Sequence, residues 1–547
     1  MAESKYPKGL FFLVFTEFWE RFGYYLMIGI FTLYMTAEVS EGGFGWSNAD
    51  AADIYGTFIA VAYLTPFMGG LLADLKLGYR FSITLGGILM GIGYCLLAIP
   101  EKWAFYTSLA VMVVGNGFFK PNISTLLGNL FNDERYRDKK DTGYNIFYMG
   151  INVGAFICNF IAAIMRNKIG WHGAFLSAGI GMFVGVITFW MGMKHYRHVD
   201  IRREPKPEDK PFLMQFARTL LVGVGFAALG WFIPDNIMGS NSTDAFFMFC
   251  FPVIFFFANI YRKANAEEKK PLGTMFTIFM IVVLFWAIFK QNGTALTTYA
   301  KYYTDRESPT QIAETAKSLG FLESVKAENG ETFQYDEQFR KINGPDGKPA
   351  KCMDYPVYYK NLDADKFPAE GQSLHLFNTE IFQSVNPFFV VILTPLVIAF
   401  FAWMRKRKKE PSTATKIAYG LLVSALSVLV MVAAVYSSGN GMHKSSAWWL
   451  IGSYGVVTIG ELLLSPMGLS MVSKLSPVRL TALMFGGWSL ATSIGNKLSG
   501  VLAKNWDKFD NKANYFWLNF VLLMFAFVIM MLLLKRLNKV FEEGRSH

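Results

Sequence analysis

Charge, histidine and paired cysteine are all scarce in this chain. Only 17% of its 547 residues are Asp, Glu, Lys or Arg, against 53% hydrophobic, a balance that excludes a string of ordinary soluble domains. The four cysteines, Cys95, Cys158, Cys250 and Cys352, are dispersed, and three lie in apolar runs, so neither a disulfide framework nor metal-ligand spacing is present. The six histidines form no cluster, and neither HExxH nor GxSxG occurs. That removes the common hydrolytic signatures, so no enzyme and no cofactor is expected.

What the chain has instead is length of apolar sequence. Runs long enough to cross a bilayer recur throughout, too long for barrel strands, and a lipid-exposed backbone must satisfy its hydrogen bonds inside helices. The expectation is an all-α, multi-pass membrane protein. Helices are predicted at 10–36, 52–73, 81–99, 103–130, 142–165 and 172–193, then 211–232 and 244–262, then 271–300, 378–404, 413–437, 446–474, 479–504 and 513–536. These fourteen transmembrane helices read as a six-helix bundle over 1–193, a basic segment with two inserted helices over 194–270, and a second six-helix bundle over 271–547. Segment 301–377 is the exception, a charged external loop or small cap in which 310–328 has helical spacing.

Basic residues orient this arrangement. The net charge of +11 is concentrated in segments such as 74–80, 131–140, 194–210, 262–270, 405–410 and 535–545, whereas 37–50 and 233–244 contain no Lys or Arg. By the positive-inside rule the basic segments and both termini are cytoplasmic. The charge is topological and calls for no nucleic-acid partner.

Against this background three ionisable residues inside the first apolar helix stand out. A charge at bilayer depth costs at least roughly 2.5 kcal/mol, so such groups face a bundle interior and mark a substrate or ion pathway. Glu17, Glu20, Arg21, Tyr24, Tyr25 and Ile28 fall at i, i+3, i+4, i+7, i+8 and i+11, which puts them on one helix stripe. Lys120 and Glu461 are likewise deep in apolar helices. Each reads either as half of a structural ion pair or as part of a proton switch, since protonating a carboxylate releases its cation. Glu17, Glu20, Arg21 and Lys120 supply the groups for such a switch, with either Glu17 or Glu20 as the carrier.

Four separated motifs then point to a family. They are the helix 1 stretch Glu17 to Tyr25, Phe147-Tyr148-Met-Gly-Ile-Asn152-Val-Gly154, Phe382-Gln383-Ser-Val-Asn386-Pro387, and Gly460-Glu461-Leu-Leu-Leu-Ser465-Pro466-Met-Gly468. Together they resemble the proton-dependent oligopeptide transporter family of the major facilitator superfamily, whose loop motif is also echoed by Gly69 to Arg80. The two inserted helices are similar to those of bacterial members.

The resemblance implies a symporter that imports di- and tripeptides with protons as coupling ion, by alternating access. It implies a multi-pass protein of the bacterial inner membrane, working as a monomer among lipids. Other cargoes of the same fold, an amino acid, nitrate or a peptide-like metabolite, and more remotely a non-transporting receptor, are the alternatives. By the family pattern Glu461, Asn152 and Asn386 take the peptide amino group, and Arg21 and Lys120 the carboxylate. Tyr24, Tyr25, Tyr63, Trp286 and Trp488 line side-chain pockets. Two positions depart from that pattern. Where many members pair an Arg of helix 1 with an acid of helix 7 as an external gate, this chain has Ile28 and Lys290. The expectation is that the outer gate is built differently and that helix 7 carries no proton.

Overall fold

Helices in the computed structural model, which describes residues 6–200, 209–345, 349–477 and 480–543, follow the apolar runs. Residues 201–208 of the basic segment, 346–348 of the loop, 478 and 479, and the two ends, for which a cytoplasmic side is predicted, lie outside the described residues.

The first bundle is α1 (Gly9–Thr36), α2 (Asn48–Leu72), α3 (Tyr79–Leu97), α4 (Lys102–Leu130), α5 (Lys140–Ile169) and α6 (Trp171–Tyr196). A hairpin of α7 (Asp209–Trp231) and α8 (Asn241–Lys263) follows. Then come α9 (Ala266–Phe289), the short α10 (Ala295–Tyr302) and α11 (Thr310–Ser318), and α12 (Val385–Lys406), α13 (Thr413–Ser437), α14 (Ala447–Leu475), α15 (Thr481–Lys504) and α16 (Lys512–Glu543). Starts are set by side chains that accept otherwise orphaned backbone N–H groups. Ser47 caps α2, Ser240 caps α8 and Ser412 caps α13. Asn265 and Glu268 form a reciprocal capping box at α9.

Among the described residues eleven helical segments are long and apolar enough to cross a membrane. Helices α1, α4 and α15 are of similar length but more polar, α1 through its three charges, α4 through Asn116, Lys120 and Asn122, and α15 through Thr492, Ser493, Asn496, Lys497 and Ser499. Their polar faces point inward, and these helices carry much of the chemistry below. Apolar packing falls into two cores. One is built from α1 to α6. The other joins α9, α10 and α13 to α16 with α8 and parts of α2 and α7.

Two predicted helices are interrupted. The predicted helix 271–300 breaks into α9 and α10 across a 3₁₀ turn at Lys290–Gly293, where the Gly293 carbonyl is taken up by another helix. The spacing that predicted a helix over 310–328 holds only for α11. Gly320, at φ +82°, ends it in a left-handed conformation, which favours glycine. The next residues instead form a strand. That strand, β2 (Leu322–Lys326), pairs antiparallel with β5 (Ser373–Phe377); β3 (Gly330–Phe333) pairs with β4 (Lys351–Asp354), and β1 (Thr304–Asp305) runs parallel to β6 (Ser445–Ser446). The loop is therefore a small folded cap on one face of the helix bundles.

Candidate functional site

The ionisable stripe of α1 is buried. Glu17, Glu20 and Arg21 are at most 4% exposed. Arg21 Nη2 donates to Glu20 Oε1 at 2.5 Å and Nε donates to the other oxygen of the same carboxylate, a two-pronged fork. Such paired bonds are the strong form of the Arg–carboxylate interaction. Glu17 is held less firmly: its Oε1 is 3.5 Å from Arg21 Nε, and its buried Oε2 has no hydrogen-bond partner. The guanidinium carbon also lies 5.0 Å from the Tyr24 ring centre and 5.8 Å from that of Tyr25, within cation–π range.

Lys120 of α4 lies within electrostatic reach of Glu17, Glu20 and Arg21 but makes no ion pair with them. No carboxylate lies within 4 Å of it among the described residues, and its Nζ sits 4.3 Å from the centre of the Tyr63 ring. Lys290, at the α9 break, reaches the same tyrosine from the second bundle. Its Nζ donates to Tyr63 Oη at 3.4 Å and lies 5.7 Å from the Trp286 ring centre. Helix α14 supplies the opposing acid. Asn386 Nδ2 donates to Glu461 Oε2 at 3.2 Å and to Thr458 Oγ1 at 2.9 Å, and Glu461 lies within electrostatic reach of Lys290. Tyr25, Tyr63, Lys120, Lys290, Asn386 and Glu461 are all partly exposed despite their depth, so they face a space between the bundles.

The remaining candidates are placed less directly. Asn152 spends its amide on its own helix, donating to the Tyr148 carbonyl at 2.8 Å. Trp488 is buried edge-on against Phe279 and over Gly468. Trp286 is buried with its Nε1 unpartnered. Ile28 and Lys290 line the same narrow cleft with Gln383, Asn386 and Asn292, so the two departures from the family pattern meet in space.

On the cap side of this cleft the bundles are joined by bonds that the motifs did not mark. Thr32 Oγ1 donates to the Gly293 carbonyl at 2.5 Å, and Asn159 Nδ2 donates to Ser384 Oγ at 3.2 Å. Lys497 of α15 reaches Asp53 of α2 at 2.9 Å. Gly56 and Gly500 allow those two helices to touch: a Cβ on Gly56 would sit 2.8 Å from Gly500 Cα. Hydrogen bonds between the bundles among the described residues cluster in this cap-side half. The site is sealed toward the cap. Asp53 and Lys497 carried a readable signal, since each is an ionisable residue inside a helix; Thr32, Asn159 and Gly293 carried none.

The arrangement sets a cationic wall on the first bundle against an acid on the second. The sequence pattern of the POT family matches residues 80–323 and 372–518. A Bacillus subtilis protein described as the uncharacterized transporter YclF is 30% identical over 92% of this chain and 89% of its own. The di-/tripeptide transporter of Lactococcus lactis subsp. lactis is 28% identical over 98% and 97%. Among solved structures, a variant of the peptide transporter POT in complex with alafosfalin superposes with a TM-score of 0.76 at 28% identity, covering 99% of this chain and 97% of that one. With motif residues of α1 and α12 lining one cleft, Glu461 of α14 bonded to Asn386 there, and the family pattern spanning most of its length, this chain belongs to the POT family.

Proposed function

We propose that the protein is a proton-coupled symporter that imports di- and tripeptides across a bacterial inner membrane by alternating access. The single observation that supports this most is the pair of opposed poles, Arg21 and Lys120 on the first bundle and Glu461 with Asn386 on the second. A peptide zwitterion has the same polarity. A simple anion such as nitrate would face Glu461 unfavourably, and the relatives reported above are named as transporters, two of them of peptides. In this reading all fourteen long helices cross the membrane, the cap is extracellular, both termini are cytoplasmic, and the protein works as a monomer.

Proton coupling then rests on the α1 cluster. Glu20 gives both oxygens to Arg21, whereas Glu17 leaves Oε2 unpartnered in a buried site. A buried carboxylate oxygen without a donor is costly unless it carries a proton. Glu17 is the carrier in this reading, and its deprotonation draws it onto Arg21 in competition with Glu20. A negative interior of about 100 mV supplies roughly 2.3 kcal/mol per proton to the cycle.

The deciding experiment is uptake of a labelled dipeptide into proteoliposomes with and without an inward proton gradient, with peptides, amino acids and nitrate as competitors. Uptake that rises with the gradient and is competed by dipeptides is expected. If no dipeptide competes, the reading is wrong.

A further inference from the structure

The three cations of the site are not equivalent. Arg21 has carboxylates in direct contact. Lys120 and Lys290 have no carboxylate within 4 Å among the described residues; they share a tyrosine instead. Lys120 lies 4.3 Å and Lys290 5.2 Å from the centre of the Tyr63 ring, and Lys290 also donates to the Tyr63 hydroxyl at 3.4 Å. Aromatic faces from Trp286 and Phe289 lie 5.7 and 5.6 Å from Lys290 Nζ. Cation–π contacts offset part of the cost of holding an ammonium out of water, but put no carboxylate in direct contact with it. Two cations around one tyrosine, neither paired directly with a carboxylate, make an anion-binding arrangement.

A peptide with a neutral side chain brings one carboxylate. If that group meets Lys120 and its amino group takes up Glu461, Lys290, which otherwise has Glu461 within electrostatic reach, is left without a counter-charge of its own. Lys290 also lines the narrow cleft with the amide side chains of Asn292, Gln383 and Asn386. The Tyr63 hydroxyl accepts from Lys290, and its own proton is free to be given to an incoming oxygen.

Resting on the peptide-transport reading, we infer that Lys290 and Tyr63 form a second anion subsite, which takes the side-chain carboxylate of an acidic residue and gives this protein a preference for acidic di- and tripeptides. The contact is charge-assisted on the Lys290 side and a hydroxyl hydrogen bond on the Tyr63 side, both directed at one carboxylate. Replacing that carboxylate by an amide of the same shape removes the charge and little else, so the pair Ala-Glu and Ala-Gln isolates the interaction.

The test is competition of labelled Ala-Ala uptake in proteoliposomes by Ala-Glu and Ala-Gln, read as the ratio of their half-inhibitory concentrations so that a general loss of activity cancels. The native protein is expected to favour Ala-Glu by about tenfold, which corresponds to ~1.4 kcal/mol. Lys290→Gln should bring the ratio to about one, and Lys290→Arg should keep it. A native ratio of one, or a preference unchanged in Lys290→Gln, overturns the subsite. If Lys290→Gln cannot be reconstituted in active form, the native protein decides the matter alone: Ala-Glu should raise its melting temperature in detergent more than Ala-Gln at equal concentration, and an equal shift overturns the proposal. Failure of every dipeptide to compete would instead strike at the peptide-transport reading, which keeps the two outcomes apart.

Discussion

Lys497 Nζ lies 2.9 Å from Asp53 Oδ1, a buried ion pair that ties α15 to α2 on the cap side of the site. The Asp53 carboxylate also accepts from Ser240 Oγ at 2.9 Å, Ser242 Oγ at 2.5 Å and Thr243 Oγ1 at 3.0 Å, all at the start of α8. One carboxylate thus holds both bundles and the inserted hairpin together. This is an ionic closure, but it lies on α2 and α15 and does not involve Ile28 or Lys290.

Removing one partner of a buried pair strands the other charge, at a typical cost of 3–5 kcal/mol, whereas removing both is often far milder. Lys497→Met is therefore expected to lower the melting temperature in detergent more than the double variant Asp53→Asn with Lys497→Met. A double-mutant cycle on the two sites checks this. Strictly additive effects would show that the pair does not couple α2 to α15.

The contact of Gly56 with Gly500 makes a second expectation. A leucine at 56 has no space while α2 and α15 touch, because even a Cβ would meet Gly500 backbone at 2.8 Å. Gly56→Leu should hold the cap side open, reduce uptake by at least about tenfold, the factor set by ~1.4 kcal/mol of imbalance, and expose Thr32. Labelling of a Thr32→Cys variant by an impermeant maleimide from the cap side reads this out. Undiminished uptake with unchanged labelling would rule out the contact as part of closure.

These closures show where the sequence was legible and where it was not. Apolar run length placed every long helix, because bilayer crossing demands about 20 apolar residues and nothing else in the chain mimics that. The charged stripe of α1 and the motif residues Asn386 and Glu461 were likewise visible, since buried charge in lipid is rare enough to be a signal by itself. The break at Lys290–Gly293 was not, because Lys290-Gln-Asn-Gly293 interrupts hydrophobicity for only one turn, and a single polar turn is also what an ordinary helix end looks like. Thr32 and Asn159 were invisible for a different reason. A polar side chain in a helix satisfies itself locally or across an interface with the same sequence, and only tertiary packing chooses. The strand Leu322–Lys326 alternates in burial like any edge strand, but its partner is some fifty residues away in β5, beyond the reach of local pattern.

The cap is pinned to the first bundle by charge. Arg166 at the end of α5 donates to Glu323 Oε2 in β2 at 2.8 Å, and Arg306 donates to the other oxygen of Glu323 at 2.8 Å. Burial raises the carboxyl of Glu323, but Arg306 and Arg166 outweigh it and hold it down to about 2. A carboxylate depressed in the folded state adds stability above its unfolded value, about 4.3, and loses it as pH falls through the folded one. The contribution should therefore be complete at pH 7, shrink below about pH 4 and vanish near 2. Glu323→Gln should melt earlier than the native protein at pH 7 and converge with it as the pH is lowered toward 3. A melting series by intrinsic fluorescence checks this, and a gap independent of pH would rule out the charge as its source.

The two acids of α1 invite a last comparison, because their bonds to Arg21 differ. Glu20 engages the guanidinium through both oxygens, and Glu17 through one at 3.5 Å with Oε2 unpartnered. An amide at position 17 mimics the protonated acid and leaves the Glu20 fork intact, so Glu17→Gln should still exchange peptide across the membrane when none is accumulated. What it should lose is the driving force, about 2.3 kcal/mol per proton at 100 mV. Accumulation against a gradient should then fall toward unity while counterflow persists. Glu20→Gln breaks the fork itself and strands a buried Arg21 with only a distant partner, so it should depress counterflow and accumulation together. The measurement is paired, counterflow and gradient-driven uptake in the same proteoliposomes. Full proton-driven accumulation by Glu17→Gln would move the carrier role to Glu20.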